Sequence, residues 1–83
     1  MKAQWRKADE YTQDCFDKYG FNGETALYTA TLKNPAGVTC DLTILKKDNK
    51  YIPCHGAIRM TAAKTIKKAK IDALNWFSRN MVC

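Results

Sequence analysis

The side chains that could perform catalysis are few in this sequence of 83 residues. Cys54 and His55 are neighbours, and a thiol close to an imidazole is the combination that provides a nucleophile and its base. In an extended segment, however, successive side chains point to opposite faces, so these neighbours are kept apart in space. The sequence also lacks a glycine-rich phosphate loop, a cluster of paired acids and a serine elbow. We therefore predict that this protein is not an enzyme.

The spacing of the cysteines and the histidine also disfavours a metal site. Cys40, Cys54 and His55 do not form a C-X-X-C or H-X-X-X-H motif, and a zinc site would need a fourth ligand from Cys15 or Cys83. We expect no metal and no other cofactor. We expect Cys15, Cys40 and Cys54 to be small buried side chains, as free cysteines usually are, and Cys83 to be exposed.

The N-terminal segment predicts a cytoplasmic protein. MKAQWRKADEYTQDC has no continuous apolar stretch like the core of a signal peptide, and no window of the sequence approaches the roughly 20 apolar residues of a membrane span. We expect no membrane contact. We also expect free thiols, because disulfides persist in oxidising compartments.

Positive charge is concentrated in the second part of the chain. The formal net charge is +6. Residues 1–24 carry four basic and five acidic side chains, whereas residues 25–83 carry ten basic and three acidic ones, so the two parts sum to −1 and +7. Most of the excess lies between Lys46 and Lys70. A one-sided basic surface is typical of proteins that bind polyanions.

Hydrophobic periodicity indicates the elements that position these charges. Apolar residues at helical spacing predict a first helix from about Gln4 to Tyr19. Strand-favouring residues predict a strand over 26–32, and turn residues follow at 33–37. In the next strand, from Val38 to Ile44, apolar residues alternate with threonine and aspartate, which predicts one buried and one solvent-exposed face.

The rest of the chain predicts a third strand and a long helix. The third strand starts at Tyr51, and because Pro53 cannot donate a ladder hydrogen bond, this strand should lie at a sheet edge or end early. Residues 57–60 either resume the strand or cross to the last helix, which runs from Thr61 to about Arg79. We therefore predict a single α+β domain over residues 1–83, with the order α-β-β-β-α and two helices on one face of a three-stranded antiparallel sheet.

Two groups of lysines stand out on these elements. On a helical wheel the last helix presents a core stripe of Ala62, Ile66, Ala69, Ala73 and Phe77, with Lys70 at its edge. Lysines face away from that stripe or lie beside it, and we expect them to have no acidic partner four residues along the helix. A basic hairpin turn carries the second group. The candidate binding residues are Lys64, Lys67 and Lys68 on the helix and Lys46, Lys47 and Lys50 at the turn.

The order of elements and the start of the last helix resemble the double-stranded-RNA-binding domain. The segment Ala63-Lys64-Thr65-Ile66-Lys67, followed by Ala69 and Ala73, is similar to the lysine-containing helix start of that family. The resemblance implies a grip on phosphates by the lysines at the start of this helix. Asn34-Pro35-Ala36-Gly37 has the turn chemistry of the family's first loop but lacks its histidine, and Ala63 replaces one of its paired lysines.

Two functions are therefore predicted. The first is a non-enzymatic nucleic-acid-binding module, for RNA or DNA, whose lysines neutralise phosphates. The alternative is a small phage or mobile-element protein, similar in action to anti-CRISPR or anti-restriction proteins, that inhibits a host nucleic-acid-processing complex. Its lysines would meet an acidic protein surface, and an edge strand over residues 51–54 would add to a partner sheet. Both functions are compatible with a homodimer.

Overall fold

The chain forms one antiparallel sheet with a helix on each face. This computed structural model describes residues 3–18, 23–56 and 58–80. Their elements are β1 (Arg6–Lys7), α1 (Glu10–Lys18), β2 (Thr25–Lys33), β3 (Thr39–Lys47), β4 (Lys50–His55), β5 (Ile58–Arg59) and α2 (Ile66–Asn80). The strands lie in the order β1-β2-β3-β4-β5, and all neighbours are antiparallel. The predicted α-β-β-β-α order with a three-stranded sheet is therefore wrong, although the α+β class holds.

Strand β1, which was not predicted, shortens the first helix. Arg6 and Lys7 pair with β2, so the chain is extended where a helix from Gln4 was predicted. The helix begins after Asp9, whose carboxylate accepts hydrogen bonds from the backbone N–H of Thr12 and from its hydroxyl, both at 2.9 Å. The backbone bond, followed by the hydroxyl bond, lowers the pKa of Asp9. This N-cap determines where α1 starts, and its predicted end at Tyr19 lies outside the described residues.

Strand β5, which was also not predicted, shows what the chain does after β4, the point left open at residues 57–60. The chain turns at Gly56, whose φ of 57° is in the left-handed region that glycine adopts without strain. Ile58 then pairs with His55, and Arg59 pairs with Cys54. The segment therefore returns along β4 as a two-residue strand.

Pro53 lies in β4 without interrupting the sheet. The backbone N–H and carbonyl of Tyr51 bond Ala63 on the side of β4 that faces away from β3, at 2.8 and 2.7 Å. Because backbone groups alternate along a strand, the nitrogen of Pro53 faces the same outer side. Its carbonyl there accepts a hydrogen bond of 2.9 Å from the backbone N–H of Met60. The prediction that Pro53 marks an edge or an early end is wrong, because β4 continues to His55 and is flanked by β3 and β5.

The helix α2 covers one face of the sheet. Ala69, Ala73 and Phe77 are buried against a cluster that includes Leu42 and Ile44 of β3. The two alanines are small enough to let the helix backbone approach the strands closely. These three positions of the predicted core stripe are confirmed. Neither helix in the described part of the chain has the length and apolarity needed to cross a bilayer.

The helix α1 lies on the opposite face, which corrects the prediction of two helices on one face. Alternation along β3 turns Thr43 away from α2, and Thr43 lines a cleft of about 380 Å³ together with Thr12 and Cys15 of α1. Hydrogen bonds from one side chain of α1 hold the helix on this face. The side chain of Gln13 bonds the backbone at the start of β2, where it donates to the carbonyl of Glu24 at 3.0 Å and accepts from the N–H of Ala26 at 2.8 Å.

Burial along the segment 38–44 also differs from the expected alternation. Thr43 is buried although it was predicted to be wet, whereas Val38 is exposed although it was predicted to be buried. The hydroxyl of Thr43 donates to that of Thr29 at 3.4 Å, and the hydroxyl of Thr29 donates in turn to the carbonyl of Leu42 at 3.1 Å. A threonine can thus be buried because its hydroxyl finds a partner.

Candidate functional site

The hairpin between β3 and β4 carries the first group of predicted lysines. Lys47 pairs with Lys50 across a two-residue turn, and Lys46 pairs with Tyr51 one position further from the turn. Asp48 in the turn has a φ of 56°, a left-handed conformation that aspartate tolerates better than most residues. All three lysines are exposed. The short turn therefore fixes three positive charges at one end of the sheet.

The backbone pairing of Tyr51 with Ala63 brings the second group to the same end. This isolated bridge is antiparallel, so the residue after Ala63 lies beside the residue before Tyr51. Lys64 is thereby placed next to Lys50. Two lysine groups that are distant in the sequence therefore meet in the fold. We call this surface the basic end and define it as Lys46, Lys47, Lys50, Lys64 and Lys67.

The bridge also moves the start of the last helix. The bridge holds Ala63 beside β4, and α2 begins at Ile66 after the N-cap Thr65, whose hydroxyl accepts from the backbone N–H of Lys68 at 3.1 Å. The predicted start at Thr61 is wrong for this reason. Lys64 precedes the helix instead of lying on it. Ala62 is exposed and leaves the predicted core stripe, while Ala63 is buried and Ile66 half-buried.

The start of α2 adds to the positive potential of the basic end. Backbone dipoles leave partial positive charge on the first N–H groups of a helix, which favours acidic residues there. The first turn of α2 contains no acidic residue, and it carries Lys67 and Lys68 instead. This arrangement opposes helix stability and attracts anions.

Lys68 differs from the other lysines because it has an acidic partner. Its ammonium lies 2.8 Å from a carboxylate oxygen of Asp72, four residues later. The expectation that no acid pairs with these lysines along the helix is wrong at this position. The ion pairs between described side chains are this one and that of Arg59 with Glu24. Within the described part, each of the five lysines of the basic end therefore lies more than 4 Å from any carboxylate.

Lys70 lies apart from the basic end and packs against two aromatic rings. Its ammonium lies 4.2 Å from the ring centroid of Tyr28 and 5.7 Å from that of Trp5. These distances are typical of cation–π contacts. Lys70 is half-buried at the edge of the core stripe, as predicted, and it ties the N-terminal segment to α2.

The Cys54-His55 pair is separated by the sheet. Cys54 is buried among Leu45 and Ile52, whereas the ring of His55 lies on the α2 side, 5.0 Å between centroids from Trp76. Among the described residues, no three His, Cys, Asp or Glu side chains are grouped so that they could hold a metal ion. Cys40 is buried as predicted, Cys15 is half-buried, and Cys83 lies outside the described residues.

The buried thiol of Cys54 predicts a loss of stability at high pH. Burial raises its pKa to about 12, from an ordinary value of 9.0. Between these values the thiol ionises in the unfolded chain but stays protonated in the native state, so stability falls as pH rises, by at most about 1.4 kcal/mol per pH unit. Urea unfolding between pH 8 and pH 11 should show a steeper decline for the natural chain than for Cys54→Ala. Equal slopes would contradict the burial of this thiol.

One feature of the sequence could have predicted that the two lysine groups lie close together. Thr65 is as good an N-cap residue as Thr61, and a helix that starts after Thr65 leaves Ala63 free to pair with Tyr51.

The chain matches no protein-family model, no curated protein and no solved structure.

Proposed function

We propose that this protein is a nucleic-acid-binding module whose basic end contacts backbone phosphates. The observation that carries the proposal is the bridge between Tyr51 and Ala63, which joins the lysines of the hairpin to those at the start of α2. Five exposed lysines lie at this end of the molecule, on a short hairpin and at a helix start, and give it a cationic surface. Such a surface supplies the electrostatic, sequence-independent part of nucleic-acid affinity.

The composition of the basic end supports nucleic acid over an acidic protein surface. The cores of protein interfaces are enriched in aromatic residues, Met and Arg and depleted in Lys, whereas the basic end consists of lysines. Tyr51, its nearest aromatic residue, is half-buried against the core. Among the described residues, the strongly exposed aromatic side chain is Tyr11, on the opposite face of the sheet. Ile71, exposed one turn after Lys67, is a single apolar residue beside the basic end.

The alternative function, a protein inhibitor, loses the strand-addition contact that the sequence suggested for it. Strand addition at residues 51–54 requires a free edge, but the outer side of β4 is paired with Ala63 and with β5. The edge predicted there is therefore occupied. An inhibitor of this fold would have to bind through another surface.

The salt dependence of binding tests the proposal. Changing Lys50, Lys64 and Lys67 together to Gln removes three exposed charges of the basic end. The log of the association constant should then fall less steeply with the log of salt concentration, by about 2 to 3 units for three lost phosphate contacts. Affinity in dilute salt should fall roughly a hundredfold or more. Both quantities are measured by fluorescence anisotropy with labelled duplexes and single strands of RNA and DNA.

A matched variant controls for net charge. Arg6, Lys18 and Lys33 are exposed residues outside the basic end, so their joint change to Gln removes the same charge. This variant should retain most of the affinity and the slope of the natural chain. If both triple variants lost the same affinity and slope, binding would depend on net charge and the assignment to the basic end would be wrong.

A further inference from the structure

A second cleft lies along α2, beyond the basic end. It has a volume of about 420 Å³ and separates the second half of the helix from the segment that follows β4. This volume is within the range of clefts that hold small ligands. The lining residues are Arg59, Met60, Thr61, Asp72, Trp76 and Arg79.

The cleft combines an aromatic ring with cationic groups. Trp76 is half-buried, and its indole is braced from the sheet side by the ring of His55, with an interplanar angle of 43°. Arg79 is exposed one turn later, and its Nε donates to the carbonyl of Asn75 at 3.4 Å. The guanidinium of Arg59 is paired with Glu24, so Arg79 is the better candidate to bind an anion.

The cleft follows the basic end along one side of the helix. Lys68, Asp72, Trp76 and Arg79 are separated by four, four and three residues, which is the spacing of one helix face. A rise of about 1.5 Å per residue puts Trp76 about 12 Å from Lys68 along the axis. The carboxylate of Asp72, between them, is neutralised by Lys68. A strand held at the basic end can therefore reach the cleft without passing an unpaired acid on this face.

We propose that this cleft binds an unpaired nucleotide of the nucleic acid whose backbone the basic end holds. The base stacks on the indole of Trp76, and Arg79 contacts a phosphate. The site rests on the proposed function and extends it, because it gives a preference for single-stranded ends that the lysines alone do not provide. Base stacking on aromatic side chains supplies such a preference without reading the sequence.

The test compares a blunt duplex with the same duplex carrying a single-stranded overhang, in RNA and in DNA. The natural chain should bind the overhang form roughly ten times more tightly, the order of magnitude of one stacked base. Arg79→Gln should reduce this ratio towards one, while Arg6→Gln should leave it unchanged. Arg79 is exposed, so its variant should unfold in urea like the natural chain. In a Trp5→Phe background, the fluorescence of Trp76 should be quenched more by the overhang form.

The outcomes separate this proposal from the function on which it rests. Equal affinity for blunt and overhang duplexes would overturn the nucleotide site, as would a ratio that Arg79→Gln leaves intact. Either result is compatible with phosphate binding at the basic end, provided that the Lys50, Lys64 and Lys67 variant still binds more weakly. Failure of every RNA and DNA form to bind the natural chain would overturn both proposals.

Discussion

Replacing Phe77 by alanine should lower the free energy of unfolding by about 3 to 5 kcal/mol. Phe77 is 1% exposed and is one of the largest fully buried side chains. It packs in the cluster that holds α2 against Leu42 and Ile44. Truncation removes apolar contacts and leaves a cavity that the surrounding helix and sheet fill only partly. Urea denaturation followed by circular dichroism measures the loss.

The same helix offers a control for this variant. Ile71 is 44% exposed, so Ile71→Ala removes a side chain of α2 that contributes little to the core. Its cost should be below about 1 kcal/mol. If Phe77→Ala and Ile71→Ala were equally destabilising, the face of α2 that packs on the sheet would be wrongly assigned. The basic end would be affected too, since the packing of α2 holds Lys67 in place.

The second large effect is expected at the ion pair of Glu24 and Arg59. Glu24 is 3% exposed, and Arg59 contacts its Oε1. The other oxygen, Oε2, is buried without a hydrogen-bond partner among the described residues. Changing Arg59 to Met leaves the carboxylate buried without its cation, and we expect a loss of about 2 to 3 kcal/mol. The side chain of Arg59 is 39% exposed, which puts the value at the low end for a broken buried pair.

A double-mutant cycle isolates the charge interaction. Glu24→Gln together with Arg59→Met removes both charges, so this double variant should be more stable than Arg59→Met alone. Urea unfolding of the four proteins gives the coupling energy. A value near zero would show that the pair does not contribute to stability, and the burial of the Glu24 carboxylate would need another cause.

The predictions that held rest on local physical chemistry. The strand over 26–32 follows from β-branched and aromatic residues, and its observed bounds, Thr25–Lys33, are one residue longer at each end. The stripe of Ala69, Ala73 and Phe77 follows from the helical period. The two-residue turn between Lys47 and Lys50 follows from the Asp-Asn pair at its tip. Each signal lies within a few consecutive residues.

The strands that were missed have no signal of this kind. Strands β1 and β5 are two residues long, too short for a period to be visible. Each exists because a neighbouring strand offers unpaired backbone groups along its edge. The side of the sheet on which α1 packs was missed for a similar reason, since it depends on hydrogen bonds between Gln13 and a distant backbone segment.

The sequence by itself determined that this chain is basic, that its charge lies on a hairpin turn and near the start of the last helix, and which face of that helix is apolar. These properties depend on composition and on periods of two or 3.6 residues. Only the tertiary structure decided that the two lysine groups lie at the same end of the molecule, because their proximity depends on the pairing of Tyr51 with Ala63. That pairing keeps Ala63 out of the helix, where local propensity alone predicted a helix.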